Sequence, residues 1–130
     1  MHIDHINISA PSDILTQEKD FFCQTLGLKV GFRPNLSSNG YWLYSGSQAL
    51  LHLVESNDHY PSEQPGYLDH VAFTLTGLER LLTTLETLST KSVVKYLAEM
   101  DTTQVFFKSP AGIGLEAKFI GERQLSAVAE

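Results

Sequence analysis

Apolar residues recur along this chain with two different periods, and the periods alternate in an order that occurs twice. Near the N-terminus Ile6 and Ile8 fall on one side of an alternating run, with Ile3, His5, Asn7 and Ser9 on the other, the pattern of a half-buried strand. Pro11-Ser12-Asp13 then supplies helix-start residues, and Phe21, Phe22, Leu26 and Leu28 follow at helical spacing until Gly27 ends the run. Three short β-like runs come next, over 29–33, 41–44 and 49–55, separated by the polar stretches 34–40 and 45–47.

The second half repeats this order. Asp69-His70-Val71-Ala72-Phe73-Thr74 matches Asp4-His5-Ile6-Asn7-Ile8-Ser9 in the pattern D-H-(I/V)-x-(I/F)-(S/T), half a chain further on. Thr76-Gly77 precedes Leu78, Leu81, Leu82, Leu85 and Leu88 at 3- and 4-residue spacing, and three β-like runs follow over 92–98, 103–108 and 113–120. The pattern predicts an α+β chain of two tandem βαβββ modules, 1–55 and 67–120, within one domain spanning 1–120. A polar linker covers 56–66, and 121–130 reads as a tail, a loosely attached helix at most.

Composition narrows the classes. The chain has 130 residues, 42% of them hydrophobic, and a formal charge of −6, which suits one globular domain and argues against disorder. Its nine Lys and Arg residues are scattered and form no basic stripe, so nucleic acid is not an expected partner. No stretch approaches the roughly 18 apolar residues of a spanning helix, and the first residues lack the basic-then-apolar order of a secretory signal. A single Cys, Cys23, rules out a disulfide framework and makes the cytoplasm the expected compartment; its place beside Phe22 and Leu26 reads as a small core residue rather than a nucleophile.

Candidate chemistry emerges from aligning the two halves. His5 and His70 hold equivalent positions on the first strands, both on the face away from the helix. His52 lies as far past His5 as Glu116 lies past His70, to within one residue, and apolar neighbours flank each: Leu51 and Leu53, Leu115 and Ala117. A lone His on a strand is ordinarily exposed or satisfied by hydrogen bonds. Four ligand-type residues at matched positions are a different matter, because a buried Glu116 would be costly without a cation. If a pseudo-twofold relates the halves, His5, His52, His70 and Glu116 converge as ligands for Zn²⁺, Ni²⁺, Co²⁺, Mn²⁺ or Fe²⁺. His2 and His59 have no repeat partner and read as surface residues.

At this point the sequence resembles the vicinal oxygen chelate superfamily, which includes glyoxalase I, methylmalonyl-CoA epimerase, fosfomycin-resistance thiol transferases, extradiol dioxygenases and bleomycin-resistance proteins. The resemblance is carried by Asp4-His5-Ile6, Phe21-Phe22 with Leu26-Gly27-Leu28, Leu51-His52-Leu53, Asp69-His70-Val71-Ala72-Phe73, and Ser109-Pro110-Ala111-Gly112 leading to Leu115-Glu116. It implies paired βαβββ modules whose curved mixed sheets enclose a central cavity, with His5, His70 and Glu116 at ligand positions. The position of His52 usually carries Glu or Gln in glyoxalase-like members, so His52 is either a fourth ligand or a pocket acid/base. Ser109 and Ala111 also depart from the family's turn, which has acidic or amide residues there.

The resemblance implies a divalent-metal-dependent lyase/isomerase of glyoxalase type, acting on a small oxygenated metabolite or thiol adduct through metal-stabilised enediolate or oxyanion chemistry, with glutathione as a possible thiol cosubstrate. Glu116 or His52 would act on the proton. Two rivals stand beside it: an extradiol ring-cleaving dioxygenase with Fe²⁺ on His5, His70 and Glu116, and a metal-free protein that binds an aromatic drug or metabolite. Pocket candidates are Trp42, Tyr44, Tyr96, Gln104 and Phe106, with Arg33 placed to meet an anionic group. Relatives this short imply a homodimer.

Overall fold

The computed structural model describes residues 1–58, 64 and 66–125, and divides into two compact units, residues 1–64 and 65–130. In the first, strand β1 (Ile6–Ala10) leads into helix α1 (Ser12–Leu26), followed by β2 (Lys29–Gly31), β3 (Gly40–Ser45) and β4 (Gln48–Glu55). In the second, β5 (Val71–Thr74) precedes α2 (Leu78–Thr87), then β6 (Ser92–Leu97), a 3₁₀ turn at Ala98–Met100, β7 (Thr102–Lys108) and β8 (Gly114–Ile120). Each unit is a four-stranded mixed sheet, ordered β1-β4-β3-β2 and β5-β8-β7-β6, whose first and last strands run parallel. The helical crossover between β1 and β2, and between β5 and β6, makes that parallel pairing possible: it carries the chain across to the opposite edge.

Period-2 alternation sorts both sheets as the sequence predicts. Leu43, Leu51 and Leu53 are fully buried on the face of the first sheet that takes α1, as are Val105, Leu115, Ala117 and Phe119 on the corresponding face of the second. His52, Trp42, Glu116, Phe106 and Gln104 alternate with these and stand on the far face. α1 buries Leu15, Phe21 and Phe22 together with Glu18, a fully buried carboxylate that apolar spacing does not reveal. Leu26 is only half-buried, and so is Cys23, at the margin of the core instead of inside it.

Several boundaries differ from the sequence pattern by a residue or two, some of them for an identifiable local reason. His5 and His70 lie one residue ahead of their strands, because the ladders start at Ile6 and Val71. Upstream of Ile6 the carbonyls of Ile3 and Asp4 accept from the Gln48 side-chain amide at 3.2 and 2.9 Å, where a ladder partner would otherwise stand. β2 stops at Gly31, leaving Arg33 in the following loop, where its guanidinium bonds Ser38. The tail is not loose over its described part, 121–125. The Glu122 carboxylate accepts from Gly77 N and Leu78 N, capping α2 from far along the chain, and Glu79 accepts from Leu125 N. Residues 126–130 and His59 lie outside the described residues.

Candidate metal and substrate site

The repeated Asp-His dipeptides fold into the same small device. Asp4 Oδ2 and His5 Nδ1 are 2.8 Å apart, and so are Asp69 Oδ2 and His70 Nδ1. A carboxylate at Nδ1 fixes the tautomer and ring orientation and leaves Nε2 to act outward, the arrangement that orients metal-binding histidines. The bond from His5 holds the Asp4 carboxyl below its usual range.

In the second unit that outward nitrogen meets the last strand. His70 Nε2 lies 3.0 Å from Glu116 Oε1, while Gln104 donates to Glu116 Oε2 at 3.2 Å and Phe106 turns an edge toward the His70 ring, 5.6 Å between centroids. Gly114 permits this approach: a Cβ there would lie 2.2 Å from the Asp69 carbonyl oxygen and 3.3 Å from His70 Cβ. Glu116 is 6% exposed, so its charge depends on these partners. The hydrogen bond to Asp69, followed by the Glu116 charge, raises the His70 pKa, because both carboxylates favour the doubly protonated ring.

The donor set suits a divalent ion. An imidazole nitrogen and a buried carboxylate oxygen, 3.0 Å apart at His70 Nε2 and Glu116 Oε1, are donor types that would hold a divalent ion. A dication there would take the place of the Nε2 proton and answer both the buried carboxylate and the Asp69 charge behind the ring.

The first unit differs. His5 and His52 are stacked, centroids 3.8 Å apart and planes within 7°, and Trp42 stacks on His52 at 4.0 Å and 10°. An imidazole lone pair lies in the plane of its ring. Two parallel, separated rings therefore cannot both aim at one ion, and joint chelation by His5 and His52 requires one ring to leave the stack. Burial, then the neighbouring His5 ring, lowers the His52 pKa, with Arg33 adding to the effect, so the middle ring of the stack is held neutral. Among the described residues, no three His, Cys, Asp or Glu side chains are grouped closely enough to hold a metal ion. Each unit offers a pair.

The other pocket candidates separate by face. Trp42 and Tyr44 share the His52 face, with the Tyr44 ring lying over Gly31 and its hydroxyl donating to the Phe32 carbonyl at 2.6 Å. Gln104 and Phe106 share the Glu116 face. Tyr96 does not: its register partner Thr103 points into the core, which puts Tyr96 on the helix side of the sheet, where it donates to Asp101 at 2.7 Å beneath the Arg123 guanidinium. Strand register, which local spacing does not give, decides that face. Cys23 has its thiol pushed up by burial, which suits a packing residue and opposes a nucleophilic thiolate.

No family model and no curated protein matches the sequence. Solved structures match over almost the whole chain. A glyoxalase family protein from Enterococcus faecalis is 25% identical, with 90% of this chain and 96% of that chain covered and a TM-score of 0.64. A glyoxylase/bleomycin resistance protein/dioxygenase domain from Frankia sp. EAN1pec is 16% identical, with 92% and 98% covered and a TM-score of 0.72. Lactoylglutathione lyase from Agrobacterium tumefaciens is 17% identical, with 91% and 92% covered and a TM-score of 0.62. The protein therefore has the two-module α+β fold of the glyoxalase-like proteins. That fold is the one the repeat and its motifs implied, the vicinal oxygen chelate architecture. Among the described residues no helix is long and apolar enough to cross a membrane.

Proposed function

We propose that the chain is a divalent-metal-dependent lyase or isomerase of glyoxalase type, working in the cytoplasm on a small oxygenated metabolite or thiol adduct. The observation that carries this reading is the Asp69–His70–Glu116 line, in which a buried carboxylate and an oriented imidazole present adjacent donor atoms. His5, His52, His70 and Glu116 are the ligand candidates of this reading, His52 joining once it leaves the stack, and the chain acts as a homodimer. The bound dication supplies Lewis acidity toward a substrate oxygen. Glu116, steadied by Gln104 through Oε2 and facing His70 through Oε1, is the group that would hold or pass a proton beside the substrate carbonyl. Asp4 and Asp69 keep the two imidazoles oriented. Trp42, stacked on His52, offers its other face to a planar substrate group.

Metal analysis by mass spectrometry tests this, on native protein purified without chelators and on H70A, E116A and H52A variants. Native protein should hold close to one divalent ion per chain, and H70A and E116A should lose it. If native protein holds none and gains none from a panel of divalent ions, the metalloenzyme reading is wrong, and the Trp42–His52–His5 stack becomes the basis for a metal-free aromatic-binding protein.

The stack also favours a second metal-dependent reading. With His52 engaged between His5 and Trp42, the remaining donors are His5, His70 and Glu116, the two-His, one-carboxylate composition that suits Fe²⁺ in dioxygenases. Full metal retention in H52A together with oxygen uptake on adding catechols would select that reading over the lyase.

A further inference from the structure

The repeat relates a second pair of residues besides the candidate ligands. Trp42 is the register partner of His52, and Phe106 is the register partner of Glu116, so Trp42 and Phe106 are equivalent. Gly31 pairs with Trp42 and Val93 pairs with Phe106. Two residues past Gly31 stands Arg33; two residues past Val93 stands Lys95. Lys95 thus stands on β6 one row from the candidate ligand row, and Arg33 follows β2 in the loop at the equivalent position of the repeat.

The two cations are held differently. Arg33 is half-buried and fixed, its Nη1 donating to the Ser38 carbonyl at 2.8 Å and its Nη2 to the Ser38 hydroxyl at 3.3 Å. The Arg33 Nη2 lies 3.3 Å from the point where a Cβ of Gly40 would stand, and Gly40 is the residue two before Trp42 on β3. Its Nε is shut off from solvent with no hydrogen-bond acceptor among the described residues. In the second unit Lys95 reaches over the Phe106 ring, 5.7 Å from Nζ to the centroid, and pairs in register with Gln104, whose other neighbour in that row is Lys118. None of Arg33, Lys95 or Lys118 has an ion-pair partner among the described residues, in a chain whose formal charge is −6.

A guanidinium immobilised by neutral partners alone, with a desolvated Nε and no counterion, has paid for its position without recovering it from a carboxylate. Successive residues on one face of a strand are about 6.8 Å apart, which sets the Lys95–Gln104–Lys118 row that far along the second sheet from the Glu116 row. We propose that Arg33 and Lys95, the latter with Lys118, are anion-recognition residues, selecting substrates that carry a carboxylate or phosphate in addition to the group that reacts. This rests on the far faces of the sheets being the substrate-facing ones, as under the proposed function, but it requires no metal.

Trp42, the single tryptophan, stands two residues past Gly40, beside which the Arg33 guanidinium lies, and serves as the reporter. Protein as purified, and again after chelation, is titrated with inorganic phosphate and separately with malonate at constant ionic strength, following Trp42 fluorescence and calorimetric heat. We expect saturable binding of at least one anion, with R33Q weakening the binding that Trp42 reports about tenfold and K95Q weakening the binding seen by calorimetry about tenfold, as for loss of one charge-assisted hydrogen bond each. R33K should restore part of the loss, and K91Q, at an exposed position, should leave binding unchanged. Phosphate alone or malonate alone identifies which acidic group is selected. Absence of saturable binding for both, or affinities unchanged in both R33Q and K95Q, overturns the proposal. Lys95 is exposed, so K95Q carries the test if R33Q does not fold. Anion binding that survives chelation while native protein proves unable to hold metal would sink the metal reading and leave this one standing.

Discussion

His70 Nε2 stands 3.0 Å from Glu116 Oε1, with Asp69 at 2.8 Å from the opposite nitrogen of the same ring. The imidazole is thus held between two carboxylates, one exposed and one buried, and Glu116 relies on His70 and Gln104 for its polar contacts on the far face. Removing the ring should therefore expose the cost of burying Glu116. We expect H70A to lose about 1–3 kcal/mol of stability in metal-free protein, the penalty of stranding a buried acceptor. The double variant H70A/E116L should recover much of it. Urea unfolding of the four corners of that cycle is the check, and a double variant no more stable than H70A would refute the account.

Gly114 sets the distance between the Asp69-His70 segment and β8. An Ala Cβ would fall 2.2 Å from the Asp69 carbonyl oxygen, a contact with backbone that no side-chain rotation relieves. G114A should cost about 1–3 kcal/mol, as overpacking does, and should weaken metal uptake as well by drawing His70 away from Glu116. A melting temperature equal to native would show that the two segments are not held this closely.

Glu122 caps α2 across more than forty residues of sequence, its carboxylate accepting from Leu78 N at 2.8 Å and Gly77 N at 3.1 Å. Truncation to Ala should cost about 1 kcal/mol, since it removes both a cap and a negative charge from a helix N-terminus. E122Q should cost less, because the amide oxygen still accepts. Denaturant midpoints for the two variants, compared with native, measure this ordering, and the reverse order would exclude capping as the role of Glu122.

Burial raises the Cys23 thiol pKa, with nearby Asp20 adding to the effect and Lys19 opposing it. The folded pKa exceeds the unfolded one, so the neutral thiol's contribution to stability is complete below the unfolded value. It declines as pH rises through the folded value. Alkylation of native protein by iodoacetamide should accordingly rise with pH and reach half its maximal rate above about 8.5, the value of an ordinary thiol. A half-maximal rate below that would mark Cys23 as an activated thiolate.

How much of this was readable in advance depends on the range of the interaction concerned. Both sheets' strands, the helices and the burial of Leu51, Leu53, Leu115 and Ala117 follow from period and turn residues, which act over a few positions. The matched places of His5 with His70 and of His52 with Glu116 follow from the repeat, because duplicated modules put equivalent residues on equivalent strands. Two kinds of feature did not follow. Tyr96 stands on the helix side and not the pocket side, because one residue of register exchanges the faces of a strand. The Arg33–Lys95 equivalence had a signal, two residues past the partners of Trp42 and Phe106, but only to a reader who already knew those partners.

The two βαβββ modules and the matched places of the candidate ligand residues are written in local spacing and in its repetition. Tertiary structure alone decided what those residues do to one another. It set His70 against Glu116 through the close approach at Gly114, placed His52 in a ring stack with His5 and Trp42, and left Arg33 fixed without a counterion. These relationships depend on side-chain orientation and strand register across pairs of residues far apart in the chain, and no local pattern encodes either.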